Sequence, residues 1–330
     1  MRVYEKQPPA LAPGAGVSSN KLGLLRLSAR NDTINTMKFA TISTLRATSQ
    51  PALVDGDRVY TLPYADMLAV IAVGAEKAAG KASKDVLSID EVKFLSPLRP
   101  NTLRDGYAFE QHVKTANKNR GREVPEEWYQ FPVFYFTNPN AIFGHDDEIP
   151  YPPYTKAMDY ELEVAVVIGK AGINIKPEEA EQYIFGYTIF NDWSARDIQR
   201  KEMAVGLGPA KGKDFASALG PVIVTREAIA DRAVGKPGVF DLSMVARVNG
   251  VEMSRGNFKD MHWSFGEIIA RASESVMLYP GDVIGSGTVG TGCLLELTKF
   301  QGPWLQPGDV VELEIEKIGV LRNKIGIGSS

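Results

Sequence analysis

Residues 159–168 read Asp159-Tyr160-Glu161-Leu162-Glu163-Val164-Ala165-Val166-Val167-Ile168. A strand repeats every two residues, so Glu161 and Glu163 share one face while Leu162, Val164, Val166 and Ile168 take the other. Valine and isoleucine at this density fit a pleated surface. Two readings of the glutamates remain open. They line a solvated strand face, or they are a buried pair whose like charges repel unless a cation sits between them.

Working outward, β signals dominate beyond residue 100. Leu242–Val248 runs into Asn249-Gly250 and Val251, a hairpin signature. Pro-Gly-Asp turns at Pro280–Asp282 and Pro307–Asp309 each launch an apolar strand. After the second, Val311, Leu313 and Ile315 alternate with Glu312, Glu314 and Glu316, the pattern of a half-buried antiparallel strand. Helices are few. Lys176–Tyr183 carries Pro177 in its first turn, with Glu178 and Glu179 against the dipole. Ser264–Ser273 opens with a capping box of Ser264 and Glu267. Upstream, Met37–Leu45, Pro51–Tyr60 and Val92–Leu98 read as strands, with a turn at Asp55-Gly56. Ala65–Ala79 reads as a helix with Leu68, Ile71, Ala72 and Ala75 on one face. The chain therefore divides into a flexible extension (1–36, rich in Pro, Gly and Ser), a small α+β domain (37–99) and a mainly β domain (100–330) with too many strands for one flat sheet.

Hydrophobic residues make up 44% of the 330-residue chain and charged residues 23%, which excludes a disordered or collagen-like protein. No apolar run approaches the ~18 residues of a membrane span. A net charge of −3 provides no positive field for nucleic acid. No membrane or nucleic-acid partner is expected, and no secretory leader is evident, so a cytoplasmic location is expected. The single cysteine, Cys293, closes no internal disulfide and rules out a cysteine-rich zinc site. With histidine only at 112, 145 and 262, any metal site must lean on carboxylates.

Gly285-Ser286-Gly287-Thr288-Val289-Gly290 matches a dinucleotide fingerprint, but Thr291–Thr298 after it reads as a strand and no βαβ unit surrounds it. Its glycines are better suited to letting the backbone approach a ligand or a neighbouring strand. Asn191-Asp192-Trp193-Ser194-Ala195-Arg196-Asp197-Ile198-Gln199 crowds donors and acceptors together, and Asp192 or Ser194 is placed to cap a helix. Lys213 follows in Gly212-Lys213-Asp214-Phe215, beyond a Gly/Pro loop. Asp105–His112 places a histidine at a helix start, and Lys114–Arg122 beyond it reads as a mobile lid. His145, in His145-Asp146-Asp147-Glu148, has the composition of a metal cluster but reads as a solvated turn, and His262 beside Trp263 reads as structural. The nucleophile elbow, the P-loop and H-E-x-x-H are absent from the sequence.

NDWSARDIQ and DYELE, followed in order by GKDF, SGT at Ser286–Thr288 and the closing Pro-Gly-Asp strand, resemble the fumarylacetoacetate hydrolase (FAH) family over residues 100–330. The resemblance implies a mixed β-sandwich roll for the C-terminal domain, a small N-terminal domain and a homodimer. It also implies a divalent metal held by Asp105, Glu161, Glu163 and Asp192, with Lys213 and Ser217 beside it. Oxygen ligands suit a hard cation, Mg²⁺, Ca²⁺ or Mn²⁺. His112 is the implied general base, oriented by Glu296. Arg196, Gln199 and Lys213 are the implied oxyanion stabilisers, and Tyr107, Tyr135, Arg196, Gln199 and Thr288 the implied substrate contacts. Met203 replaces a further family tyrosine, and Arg120 and Arg122 are candidates for a substrate-binding arginine.

The seven-residue step from Asp105 to His112, and Thr115 where many siblings carry a glutamate, favour the fumarylacetoacetase type within the family. The expected reaction is metal-assisted hydrolysis of a carbon–carbon bond in a β-diketo acid such as fumarylacetoacetate. The alternatives are an acylpyruvate hydrolase, an oxaloacetate decarboxylase or a hydroxydienedioate isomerase of the same family, and, outside enzymes, a catalytically silent metal-binding scaffold.

Overall fold

Each residue from Glu163 to Ile168 is buried, because both faces of this strand are covered. The computed structural model describes residues 37–327, so the extension read at 1–36 lies outside the described residues. In chain order the strands are β1 (Lys38–Ser43), β2 (Gln50–Asp55), β3 (Arg58–Thr61), β4 (Val86–Ser88), β5 (Lys93–Phe94), β6 (Leu103–Gly106), β7 (Phe134–Thr137), β8 (Ile142–Phe143), β9 (Glu148–Ile149), β10 (Met158–Asp159) and β11 (Glu163–Ile168). There follow β12 (Ile184–Asp192), β13 (Ser194–Ala195), β14 (Ser217–Val224), β15 (Ser243–Val248), β16 (Val251–Asn257), β17 (Val283–Gly285), β18 (Val310–Ile315) and β19 (Gly319–Ile325). The α-helices are α1 (Met67–Val73), α2 (Ala75–Ala79), α3 (Glu110–Asn119), α4 (Arg196–Val205), α5 (Phe265–Ser273) and α6 (Leu294–Leu297).

The main sheet runs β4-β3-β2-β1-β14-β12-β11-β17-β6-β7, with β5 added to β1 and β8 to β14. A second sheet runs β16-β15-β18-β19-β9, and β10 pairs with β13 as a separate ribbon. Val164, Val166 and Ile168 of β11 join Met244, Val311, Leu313 and Leu321 of the second sheet in one core. Ala165 and Val167 point the other way, to a core shared with Met67, Val70 and Ile71 of α1. Full burial of each such valine, leucine, isoleucine or methionine side chain contributes roughly 1.5–3 kcal/mol. This is a mixed β architecture with few helices and a small N-terminal β region, as the sequence signals imply. The strands of residues 37–99 extend the main sheet through pairing of β1 with β14.

The hairpin at Asn249-Gly250 forms with both residues left-handed (φ 52° and 79°), as a two-residue type I′ turn requires. Inner positions of β18 alternate with half-buried ones, and the Ser264–Glu267 capping box is present. Several local expectations are corrected. Gly74, at φ 92°, divides the helix read over 65–79 into α1 and α2. Lys176–Tyr183 winds as a 3₁₀ run over Pro177–Tyr183, and only Lys93–Phe94 of Val92–Leu98 pairs as a strand. Thr291–Thr298 contains the helix α6 rather than a strand. Lys114–Asn119 continues α3, which buries Val113 and Ala116, so this part of the expected lid is regular helix. His145 is buried rather than solvated: its Nδ1 accepts from the Arg322 backbone, while Asp146 binds the Arg322 guanidinium through both oxygens. His262 packs against Trp128, Tyr129 and Trp263, in keeping with a structural part.

Candidate active site

Glu161 and Glu163 are 5% and 0% exposed, which removes the solvated-face reading. Their face meets Asp105, brought in by β6 through parallel pairing of Gly285 with Asp105. Carboxylate oxygens of Asp105, Glu161 and Glu163 lie within 4.8 Å of one another. The Gly287 N–H donates to Asp105 Oδ1 at 3.1 Å and to Glu163 Oε2 at 3.0 Å. The glycine-rich loop thus brings its backbone up to the carboxylates.

Asp192 ends β12, with Ser217 of β14 opposite it in register. Its Oδ2 accepts from Lys213 Nζ at 2.8 Å and from the Tyr135 hydroxyl, while Oδ1 is buried without a partner. Lys213 Nζ also donates to Glu161 Oε2 at 2.6 Å. Neither Asp192 nor Ser194 caps α4, whose first residue is Arg196 and whose N-cap is Ala195. Arg196 Nε donates to Asp159 Oδ2 at 2.8 Å and its Nη2 lies 2.8 Å from Glu161 Oε1. Ser217 is buried and does not line the cavity described below.

Five buried carboxylates (Asp105, Asp159, Glu161, Glu163 and Asp192) face two buried cations, Arg196 and Lys213. Burial, reinforced by Asp192, pushes the Asp105 carboxyl up to about 8. Burial and then Asp105 raise Glu163 well above the usual carboxylate range. Burial also disfavours the charge on Glu161, but Lys213 and Arg196 outweigh it and hold this group low. Among the described residues, Glu163 Oε1 has no hydrogen-bond partner, like Asp192 Oδ1. Crowded, unpartnered oxygen donors with a deficit of positive charge fit a hard divalent cation.

On the other side of the cavity, His112 Nδ1 of α3 lies 2.9 Å from Glu296 Oε2 of α6. Both side chains are buried, and Glu296 Oε1 is unpartnered. Cys293 Sγ lies 3.7 Å from the same carboxylate. Between this pair and the carboxylate cluster is a cavity of about 260 Å³. It is lined by Asp105, Tyr107, His112, Tyr135, Glu161, Arg196, Gln199, Lys213 and Thr288 from the expected set. Arg120, Met203, Val133, Phe134 and Leu295 also line it, and Arg122 does not. Of these, the family resemblance points to Arg120 and Met203 alone. The apolar walls arise from long-range packing that leaves no local pattern. Among the described residues, no serine or cysteine lines the cavity.

Residues 101–326 match the family description "Fumarylacetoacetate (FAA) hydrolase C-terminal". The chain belongs to the fumarylacetoacetate hydrolase family. It is 36% identical over 247 residues to human mitochondrial oxaloacetate tautomerase FAHD2A, covering 74% of this chain and 73% of that protein. It is 33% identical over 261 residues to Bacillus subtilis oxaloacetate tautomerase YisK, covering 78% and 80%. Among solved structures, a fumarylacetoacetate hydrolase from Exiguobacterium antarcticum superposes with a TM-score of 0.71 at 28% identity, covering 88% of this chain and 99% of that one. A 5-carboxymethyl-2-hydroxymuconate delta-isomerase from Mycobacterium smegmatis gives 0.67 at 26% identity, with the same coverage. The chain is thus an FAH-family enzyme whose named relatives include tautomerases and isomerases, a shift from the fumarylacetoacetase-type hydrolysis that the motif spacing favoured. No helix among the described residues is long and apolar enough to cross a membrane.

Proposed function

We propose that this protein is a metal-dependent tautomerase of small 2-oxo dicarboxylic acids of the oxaloacetate type, interconverting enol and keto forms. The observation that carries the reading is the His112–Glu296 pair facing a carboxylate cluster across a cavity to which, among the described residues, no serine or cysteine nucleophile contributes. Such a site is equipped for proton transfer. The names of the tautomerase and isomerase relatives, all denoting proton shifts in enolisable acids, support it.

A divalent cation held by Asp105, Glu161, Glu163 and Asp192, with Lys213 and Ser217 beside them, would supply Lewis-acid polarisation of the substrate oxygens. His112, whose Nδ1 lies against Glu296 and whose side chain lines the cavity, delivers a proton to the substrate carbon or takes one from it. Glu296 stabilises the positive charge on the ring when it carries the proton. Arg196, Gln199, Lys213 and Thr288 hold the carboxylate and the oxygen that gains or loses charge. Arg120, whose guanidinium stacks over Phe300 at 5.5 Å, is positioned for the second carboxylate. In ketonisation the enol O–H proton is lost and a proton is added at carbon, so no water is consumed.

The second reading is hydrolysis of a β-diketo acid by water activated at His112. It is favoured by Tyr107 and Tyr135 in the cavity and by the fold match to the Exiguobacterium hydrolase. One experiment separates the two. Purified protein with Mg²⁺ is given enol-oxaloacetate, fumarylacetoacetate and acetylpyruvate, and both enol absorbance and released acids are followed. Accelerated ketonisation without cleavage products supports the tautomerase. Rapid release of fumarate or pyruvate with no effect on enol-oxaloacetate would replace it with the hydrolase.

A further inference from the structure

Asp159, at the end of β10, is fully buried and accepts hydrogen bonds from four donors. Its Oδ2 takes Arg196 Nε at 2.8 Å and the Leu295 N–H at 3.0 Å. Its Oδ1 takes the Leu294 N–H at 2.8 Å and its neighbour Tyr160 N–H at 2.9 Å. Leu294 and Leu295 are the first residues of α6, and Glu296 is the next. That helix has only four residues, and Cys293 at its N-cap position makes no side-chain cap. A helix this short does not hold itself. Its leading amides are held by a carboxylate 135 residues away in sequence.

The other end of the arrangement is equally fixed. β10 pairs with β13, setting Met158 against Ala195 and Asp159 against Ser194. The Arg196 N–H then donates to Ala157 O at 2.8 Å. This places the Arg196 guanidinium beside Asp159, leaving Nη1 to donate to Gln199 Oε1 at 3.1 Å. One carboxylate therefore touches both the arginine on the cluster side of the cavity and the helix that carries the partner of His112.

We propose that Asp159 is a positioning residue that aligns Arg196 and Glu296 together, so that the anion-binding arm and the proton-transfer pair share one fixed reference. This rests on the tautomerase reading only for the roles of Arg196 and His112; the shared tether is a property of the geometry. Asp159→Asn keeps the size and one accepting oxygen. Its NH₂ would face either Arg196 Nε and Leu295 N–H or the Leu294 and Tyr160 amides, setting donor against donor.

The test is run on the full-length protein with Mg²⁺ and the keto acid the wild type turns over. Asp159→Asn is expected to raise KM and lower kcat together, each by ~10-fold or more, the order expected when a charge-assisted hydrogen bond is lost. In the Glu296→Gln background the same change should lower kcat by less than ~3-fold, because the two act along one path. The chain has three histidines, so the His112 ring nitrogens are resolved by ¹⁵N spectroscopy without substrate. They should move in Asp159→Asn while those of His145 and His262 stay. Arg196→Lys, which keeps the charge and removes the Nε contact, should also move them, and it decides the matter if Asp159→Asn does not fold. Additive kcat losses, or unmoved His112 signals with only a lowered Tm, would overturn the proposal and leave Asp159 as a stabilising cap. A wild type inactive on every keto acid would defeat the tautomerase reading, and the spectroscopic arm would still decide the tether.

Discussion

Lys213 Nζ donates to Glu161 Oε2 at 2.6 Å inside the carboxylate cluster, and the same ammonium reaches Asp192. Lys213→Met removes the cation and leaves both carboxylates buried beside Asp105 and Glu163. Activity should fall by ~10²–10³-fold, the cost of losing one donor that stabilises developing charge. Breaking a buried ion pair from one side costs about 3–5 kcal/mol, so Tm in EDTA should fall as well. Steady-state kinetics and a thermal melt check both. A variant with wild-type kcat/KM would remove Lys213 from the chemistry.

A second expectation concerns pH and metal. The Asp105 carboxyl is pushed up to about 8, so the native state keeps a proton that the unfolded chain, near its ordinary ~3.9, has lost. Between those values the native state binds more protons than the unfolded one, so stability falls as pH rises. Metal-free protein should therefore lose Tm from about pH 4 to about pH 8 from this group. Saturating Mg²⁺ takes the place of the proton and should remove or reverse the decline. Melting curves in EDTA and in Mg²⁺ across this window provide the check. Identical curves would sink the metal assignment.

Glu163→Gln tests the same cluster at one atom. Burial and Asp105 disfavour the charge on Glu163, so a neutral isostere relieves repulsion. The metal-free variant should melt at or above wild type, while its Mg²⁺ affinity and turnover drop sharply. Titration calorimetry against Mg²⁺ reads the first loss, and enol-oxaloacetate turnover the second. A lower metal-free Tm with undiminished Mg²⁺ affinity would show that Glu163 is structural.

The parts of this site that could be read in the sequence are those set by local period. The two-residue repeat placed Glu161 and Glu163 on one face, and the structure puts them on the face opposite Val164 and Val166. The Asn249-Gly250 and Pro-Gly-Asp turns were legible because few residues satisfy their backbone angles. α6 was not, since its start depends on Asp159 and not on a residue beside it. The helix break at Gly74 was hidden inside an unbroken apolar period. Proximity of Asp105, Glu163 and Gly287 comes from β17 pairing in parallel with β6 on one side and antiparallel with β11 on the other, which no local pattern encodes. Only the family resemblance grouped Asp105 with Glu163 in advance, and it gave Gly287 no part beside them.

Truncating His112 addresses the proton-transfer pair. On the proposed reading, His112→Ala should lower kcat by ~10²–10⁴-fold, the range for a lost general base, with KM little changed because the proposed acid-binding groups Arg196 and Arg120 are left in place. Glu296→Gln should lose less, since the amide still packs against the ring but no longer stabilises its charge. Near-normal kcat in His112→Ala would move the proton transfer to another group.

Gly287 provides the last test. Its N–H bridges Asp105 and Glu163, and its φ of 77° lies where side chains are disfavoured. A Cβ there would sit 2.6 Å from Gly106 O, a backbone atom that cannot swing aside. Gly287→Ala must therefore shift the loop away from β6, and the shared N–H goes with it. Both acidic side chains then lose a donor that helps stabilise their ionised form. Mg²⁺ affinity and activity should both fall, and Tm should drop even in EDTA, because strain and clash persist without metal. Gly250→Ala, also at positive φ but with open space around its Cβ, is the control for conformational strain alone. It should lower Tm without touching Mg²⁺ affinity. Equal Mg²⁺ affinity in the two variants would mean that the Gly287 N–H does not help to organise the carboxylates.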